Sequence, residues 1–144
     1  MRTFAKLLIV LLAVTAAIAA FGEGEFRNAS GNIIGYLRSD GSVRNSSGNT
    51  VGYIKSGGDV RNSSGTTIGT IRPDGTVTNS SGNTIGRIRD DGTVTNSSGN
   101  SIGRVYSNGD VRNSSGNTIG RATGSITQRE AAAFFFFFFT ELLS

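Results

Sequence analysis

Hydrophobic residues recur along most of this chain at fixed positions in a 17-residue pattern. A Val precedes each Asn-Ser-Ser-Gly stretch, an Ile or Val follows it, and in the complete units another Leu, Ile or Val comes three residues later. Fixed spacing of this kind is typical of a repeat protein whose units pack on one another. The units are 27–43, 44–60, 61–77, 78–94 and 95–111, and a sixth, partial unit is 112–126.

Two turn signals divide each complete unit. In Asn79 to Gly82 the Asn side chain can bond the backbone two residues on, and the Gly can take a positive φ, which suits a type I turn followed by a bulge. The stretch from Arg72 to Gly75 has the same chemistry, and Pro73 presets φ there. We call this stretch and its equivalents in the other units the second turns. The segments between turns are rich in Thr, Val and Ile and predict short strands. The repeat region is therefore predicted to be a meander of about a dozen strands.

The two apolar positions that follow each Asn-Ser-Ser-Gly turn are three residues apart, which does not fit the simple alternation of a strand. A glycine lies between them in every unit. We predict that a bulge brings both apolar residues onto one face and that another element approaches the glycine closely. The six glycines are Gly35, Gly52, Gly69, Gly86, Gly103 and Gly120.

A sheet with one apolar face must be covered or must close on itself, and an open run of a dozen strands would leave exposed edges. Equal units without gaps favour closure into a ring of hairpins. The predicted fold is therefore an all-β repeat ring whose lumen is lined by small branched side chains.

The C-terminal segment, 127–144, predicts a helix. Thr127 to Glu130 has the spacing of a capping box, and Ala131 to Ala133 are the best helix formers. We therefore predict a helix from about Gln128 to Leu143. Phe134 to Phe139 would cover every side of it, and a helix that is apolar all round must be buried all round.

The hollow of the ring is the predicted location of this helix. Its apolar block from Phe134 to Leu143 would be only about 15 Å long at 1.5 Å per residue, which is too short to cross a bilayer. Three alternatives stay open: pairing with a second copy in an oligomer, insertion into a membrane surface, and an extended strand prone to aggregation.

The first 20 residues have the pattern of a secretory signal peptide. Arg2 and Lys6 precede an apolar run from Leu7 to Val14, and small residues end at Ala19. An uncleaved membrane anchor is the alternative, although the run is shorter than a span requires. The sequence has no Cys, which excludes disulfides and attachment of a lipid to a Cys thiol. We expect a secreted or periplasmic protein with a repeat domain at 21–126.

Composition and charge argue against several functions. The chain of 144 residues has a net charge of +4, and Arg2 and Lys6 lie in the predicted signal peptide, so we expect no nucleic-acid partner. It has no His and no Cys, and nearly every Asp lies in a repeated turn, so we expect no enzyme, no cofactor and no metal. Each unit contains Asn-x-Ser, formally a glycosylation acceptor, which the turn chemistry already explains.

Two functional hypotheses remain. In the first, the chain is a non-enzymatic envelope module that binds a glycan or an envelope protein through repeated polar loops. In the second, it is a membrane-active protein that releases its Phe-rich helix into lipid, although contact with a membrane is disfavoured because it forfeits the burial of that helix. Four cations, one per unit, could form a positive ring, and three tyrosines could stack on sugars. These candidate residues are Arg38, Lys55, Arg72, Arg89, Tyr36, Tyr53 and Tyr106.

The chain resembles the family known as five-fold beta-flower proteins, which are secreted or envelope proteins of Bacteroidetes-type bacteria. The resemblance covers residues from about 23 to 144 and rests on units such as NSSGNTIGRIRDDGTV and on the Ala- and Phe-rich tail. It implies a five-fold pseudo-symmetric ring of β-hairpins. It assigns no catalytic or binding role to any residue of this chain. Five units carry the Asp-Gly-like second turn: Asp40-Gly41, Gly57-Gly58, Asp74-Gly75, Asp91-Gly92 and Asn108-Gly109.

Overall fold

The structure, a computed structural model, describes residues 23–143, and the predicted signal peptide lies outside these residues. Twelve strands form one closed antiparallel barrel. The strands are β1 (Gly24–Asn28), β2 (Ile33–Leu37), β3 (Ser42–Asn45), β4 (Thr50–Ile54), β5 (Asp59–Asn62), β6 (Thr67–Ile71), β7 (Thr76–Asn79), β8 (Thr84–Ile88), β9 (Thr93–Asn96), β10 (Ser101–Val105), β11 (Asp110–Asn113) and β12 (Thr118–Gly124).

The barrel closes where the two ends of the strand array meet. Strand β1 pairs antiparallel with β12 on one side and with β2 on the other. Every other strand pairs with its neighbours in sequence, so the barrel has no free sheet edge in the described part of the chain. The prediction of a closed all-β ring of hairpins is confirmed.

Both kinds of turn follow the chemistry expected from the sequence. The Asn79 carboxamide oxygen accepts hydrogen bonds from the backbone N–H groups of Ser81 and Asn83, both at 3.0 Å. Gly82 has a φ of 83°, which favours glycine. In the second turn Gly75 donates its N–H to the carbonyl of Arg72 at 2.9 Å, with a φ of 91°. The repeated turn residues therefore set the length and the register of each hairpin.

A bulge accompanies each Asn-Ser-Ser-Gly turn, as the spacing of the apolar residues predicted. Between β7 and β8, Val77 pairs with Gly86 and Thr78 pairs with Thr84, which leaves Ile85 as an extra residue. The same shift occurs in the equivalent hairpins. Ile85 therefore packs against the core on the same side of the sheet as Ile88.

The wall of the barrel is built from repeated apolar pairs. In β6 and β7, for example, Ile71 pairs with Val77, and both are buried. At the seam between β12 and β1 the same position holds Phe26 opposite Ala122. A large side chain there faces a small one, so the seam keeps close packing with different residues.

The C-terminal segment begins where the sequence predicted. Thr127 caps helix α1 (Gln128–Ala132): its hydroxyl accepts from Glu130 N at 3.1 Å, and Thr127 N donates to the Glu130 carboxylate at 2.8 Å. The prediction of one α-helix from Gln128 to Leu143 was wrong, because the chain is π-helical over Ala133–Phe138 and 3-10 helical over Thr140–Leu143. A π-helix bonds i to i+5 and has a wider turn, so consecutive side chains rotate less about the axis.

Candidate functional site

Each of the six consecutive phenylalanines packs against a different repeat glycine. A Cβ built on Gly52 would lie 2.7 Å from Cε1 of Phe139, and one built on Gly35 would lie 3.2 Å from Phe134. The rings therefore occupy the space that any side chain at these glycines would fill. The pairs are Phe134 with Gly35, Phe135 with Gly120, Phe136 with Gly103, Phe137 with Gly86, Phe138 with Gly69 and Phe139 with Gly52.

This pairing explains the π-helix. From Phe135 to Phe139 the rings meet the repeat glycines in reverse order along the chain, and Phe134 closes the circle. The side chains thus go round the barrel once. An α-helix turns 100° per residue and would carry six consecutive side chains well past one circuit, so the wider turn matches the ring better.

Burial divides the six rings into two groups. Phe134, Phe135 and Phe139 are 0–2% exposed, whereas Phe136, Phe137 and Phe138 are partly buried. The segment therefore plugs the barrel, as predicted, but it is not enclosed on every side.

Sequence reasoning missed Phe26, which anchors the plug. Its ring stacks on Phe134 with centroids 3.7 Å apart and planes inclined by 4°, and it meets Phe135 edge to face at 6.0 Å. The sequence contained a signal for this role. The Val that precedes each Asn-Ser-Ser-Gly turn recurs every 17 residues from Val43 onward, and the position 17 residues before Val43 is occupied by Phe26.

The five second turns form one end of the barrel, which we call the second-turn mouth, and α1 lies across it. Gln128 Nε2 donates to the carbonyl of Val105 at 3.0 Å. The guanidinium of Arg129 donates to the carbonyls of Arg72 and Pro73 at 3.0 and 2.8 Å. These bonds hold α1 to part of the rim and leave the rest of the mouth uncovered.

A cleft of about 570 Å³ lies between α1 and the second turn of 55–58. Ile54 and Ile71 supply apolar lining, and Lys55, Arg129 and Glu130 supply charge. An adjoining cleft of about 240 Å³ shares Ile54, Lys55 and Glu130 and extends to Arg38 and Asp40. Together they form a groove along one side of the mouth, and we call it the mouth groove.

The structure places all four predicted cations at the second-turn mouth, because each is the first residue of a second turn. All are exposed. Arg38 and Lys55 line the mouth groove, whereas the backbone carbonyl of Arg72 is bound by Arg129. Arg89 lies beside Asp74 and Asp90, away from the groove. The groove therefore brings together two of the four.

The three tyrosines do not collect in the mouth groove. Tyr36 and Tyr53 lie half-buried on the outer wall, with the Arg38 guanidinium 5.9 Å from the first ring and Lys55 Nζ 5.0 Å from the second. Tyr106 is 37% exposed and lies near two guanidiniums. Cations already pack on these rings, which leaves less aromatic surface for a sugar than predicted.

Three Asp side chains in the second turns accept hydrogen bonds from the backbone of their own turns. Ser42 N, Thr76 N and Thr93 N donate to Asp40, Asp74 and Asp91 at 2.9, 3.0 and 2.9 Å. These backbone hydrogen bonds lower the pKa of each Asp carboxyl. Asn108 accepts the same bond from Asp110 N at 3.0 Å, so a neutral amide oxygen can take the place of the carboxylate. The second turn at Gly57 and Gly58 forms the same backbone bonds without a side-chain acceptor, so this hydrogen bond supports the turn but is not required for it.

Residues 23–143 hold neither a carboxylate cluster of the metal-binding kind nor a membrane-spanning helix. In this range no three carboxylate side chains come together as a metal site would require. No helix in the same range combines the length and the apolar character of a membrane span.

A family model described as "5-fold beta-flower protein" matches residues 16–140. Comparisons with curated proteins and with solved structures gave no match.

Proposed function

The chain belongs to the 5-fold beta-flower protein family, and on that premise we propose that it is a non-enzymatic binding module whose second-turn mouth contacts a glycan or an envelope protein. The mouth groove carries this proposal. Ligand sites are concave, mostly apolar surfaces with a few convergent polar groups, and the groove has Ile54 and Ile71 in its lining and Lys55 on its rim.

The charge of the groove favours an acidic ligand. Arg38, Lys55 and Arg129 contribute three cations, against Asp40 and Glu130. Glu130 and Asp40 accept hydrogen bonds from the backbone N–H groups of Thr127 and Ser42. Arg129 donates to two carbonyls of the rim and lies 3.7 Å from Asp90, so Arg38 and Lys55 are the cations most available to a ligand. Among glycans, a sugar with a carboxylate would meet charge-assisted donors here.

The 17-residue unit is the proposed building block of the module, with five complete units giving the five-fold character. Five second turns stand around the mouth, and the sixth place is taken by the ends of β12 and β1. The mouth is thus asymmetric where the strand array begins and ends. A single ligand site beside some of the turns is compatible with that asymmetry.

Binding should depend on Lys55. Replacement by Ala removes a groove cation, and we expect affinity for an acidic oligosaccharide selected on a glycan array to fall about tenfold, or about 1.4 kcal/mol. Titration calorimetry measures the change. Arg89→Ala is the matched control, since it removes a cation from the same turn position outside the groove and should change affinity less than about twofold. Equal losses in both variants would contradict binding in the groove.

Secretion is part of the proposal, and the N-terminal sequence supports it. We expect the mature chain to begin shortly after Ala19, because the apolar run is followed by small residues. The intact mass of protein recovered from the medium or the periplasm measures this. A mass that retains Met1 to Ala19 would favour a membrane anchor instead.

A membrane-active role is the second candidate, and the partial exposure of Phe136, Phe137 and Phe138 favours it. Release of the segment would expose Phe134, Phe135 and Phe139, at a cost of about 1.5–3 kcal/mol for each ring. Dye release from vesicles of phosphatidylethanolamine and phosphatidylglycerol separates the two functions. Leakage caused by the wild-type protein would support the membrane-active role, and intact vesicles would support the binding module.

A further inference from the structure

A separate charged surface lies on the outer wall of the barrel, on both sides of the β12–β1 seam. Four consecutive strands each place one arginine there, and we call these four the seam arginines. Within this set, residues face each other directly across the strands in two pairs. The pairs are Arg104 with Arg112, and Arg121 with Arg27.

These two pairs are unusual for this barrel. Like charges directly opposite each other on neighbouring strands are destabilising. At the equivalent register elsewhere the barrel places Arg opposite Tyr or Thr, or Thr opposite Thr. Those pairs are Tyr36 with Arg44, Tyr53 with Arg61, Thr70 with Thr78 and Arg87 with Thr95. Among the paired positions of residues 23–143, arginine faces arginine only within the set of seam arginines, once between β10 and β11 and once between β12 and β1.

The neighbouring carboxylates balance only part of this charge. Asp110 lies 2.9 Å from Arg121 and 3.9 Å from Arg112. Glu25 lies 2.8 Å from Arg27. Within the described chain Arg104 forms no ion pair within 4.0 Å. Four cations therefore face two ion-paired carboxylates on this surface, and Asp91 lies close enough to Arg104 to interact with it electrostatically.

The seam arginines are accessible to a ligand. The side chains of Arg27, Arg112 and Arg121 are 36%, 42% and 50% exposed. Neighbouring strands are about 4.8 Å apart, so four consecutive strands present guanidinium groups over about 14 Å around the barrel. Guanidinium groups bind carboxylates and sulfates through paired N–H donors. A row of this kind fits a linear polymer that carries an anionic group on successive residues.

We propose that the seam arginines bind a linear anionic polysaccharide, and that this surface acts independently of the mouth groove. The surroundings of Tyr106 favour a polysaccharide over a single-stranded nucleic acid as the ligand. Its ring lies 4.9 Å from the Arg104 guanidinium and 5.4 Å from that of Arg112. An aromatic ring already packed by two cations is a poor platform for base stacking, on which sequence-tolerant binding of single strands depends.

A charge-matched pair of double variants tests this proposal. Arg104→Gln with Arg121→Gln removes two seam arginines, and Arg44→Gln with Arg61→Gln removes two arginines from the outer wall away from the seam. Fluorescence anisotropy with labelled dextran sulfate and labelled polygalacturonate measures binding, with neutral dextran as the ligand control. Circular dichroism checks that both variants are folded.

We expect the seam double variant to bind at least one of the two polyanions about tenfold more weakly and the control double variant to change less than about threefold. Preference for dextran sulfate or for polygalacturonate identifies the anionic group as sulfate or carboxylate. Equal weakening of both variants, or no binding of either polyanion by the wild type, would overturn the proposal. Equal or tighter binding of a labelled oligothymidine would overturn the assignment to a polysaccharide. The seam double variant should leave the Lys55-dependent binding of the array-selected oligosaccharide unchanged, so failure of one site would be recognised separately from failure of the other.

Discussion

Replacing Phe134 by Asp is expected to abolish the folded state. Its ring is fully buried, stacks on Phe26 at 3.7 Å and meets Phe135 at 5.1 Å. The substitution would remove this packing and place a carboxylate without a partner inside the barrel, for a loss of more than about 4 kcal/mol. Chemical denaturation followed by circular dichroism measures the free energy of unfolding.

A scan of Asp substitutions from Phe134 to Phe139 extends this prediction. We expect the largest losses at Phe134, Phe135 and Phe139, which are buried, and smaller losses at the three partly buried rings. The monomer fraction of the wild type is measured alongside by sedimentation. The absence of any loss at Phe136, Phe137 and Phe138, or a wild type that is oligomeric only while 127–144 is present, would place the rings at an interface between chains.

Replacing Gly69 by Val is expected to destabilise the protein by about 3 kcal/mol, as overpacking does in a core. A Cβ at this position would lie against the ring of Phe138 and 2.6 Å from the backbone oxygen of Thr78. The oxygen belongs to the paired strand β7 and cannot move aside without loss of the register. The thermal midpoint should therefore fall by on the order of 10 °C.

Thr66→Val is the control for this substitution. Thr66 is exposed in the adjacent Asn-Ser-Ser-Gly turn, and equivalent turns have Asn at its position. Its replacement adds a branched apolar side chain without placing it in the barrel, so the midpoint should change little. Equal midpoints for the two variants would contradict the close approach of Phe138 to Gly69.

The barrel could be predicted from the sequence because its information is local and repeated. Asn79 and Gly82 specify a turn by their own chemistry, and the same chemistry returns every 17 residues. Closure followed from the equal units and from the lack of any other cover for the apolar face. The bulge followed from the spacing of Ile85 and Ile88, which alternation alone could not place on one side.

The plug was predicted in position but not in conformation. Thr127 and Glu130 specify where a helix starts, since capping is local. Nothing local in a run of identical side chains specifies a π-helix. That choice depends on how Phe134 to Phe139 meet glycines distributed around the whole barrel, which is a tertiary constraint.

The candidate site was predictable only in part. The first residues of the second turns were expected to be exposed cations, and the structure places Arg38 and Lys55 together in a groove. The groove itself depends on where Arg129 anchors α1 to the rim, a contact 56 residues away from Pro73 in sequence. The seam arginines were missed as one surface: Arg104 faces Arg112 within the local β10–β11 hairpin, but Arg27 meets Arg121 only after β1 pairs with β12.

The central claim is that each phenylalanine packs on one particular glycine, and a double-mutant cycle tests it most directly. Gly69→Ala is combined with Phe138→Ala, its partner in the structure, and separately with Phe136→Ala, whose partner is Gly103. The free energy of unfolding is measured for each single and double variant. Removing the Phe138 ring should relieve part of the clash at Gly69, so the matched pair should be non-additive by about 1 kcal/mol or more, while the mismatched pair should be additive within about 0.5 kcal/mol. Equal coupling in both pairs, or additivity in both, would contradict the one-to-one packing of rings on glycines.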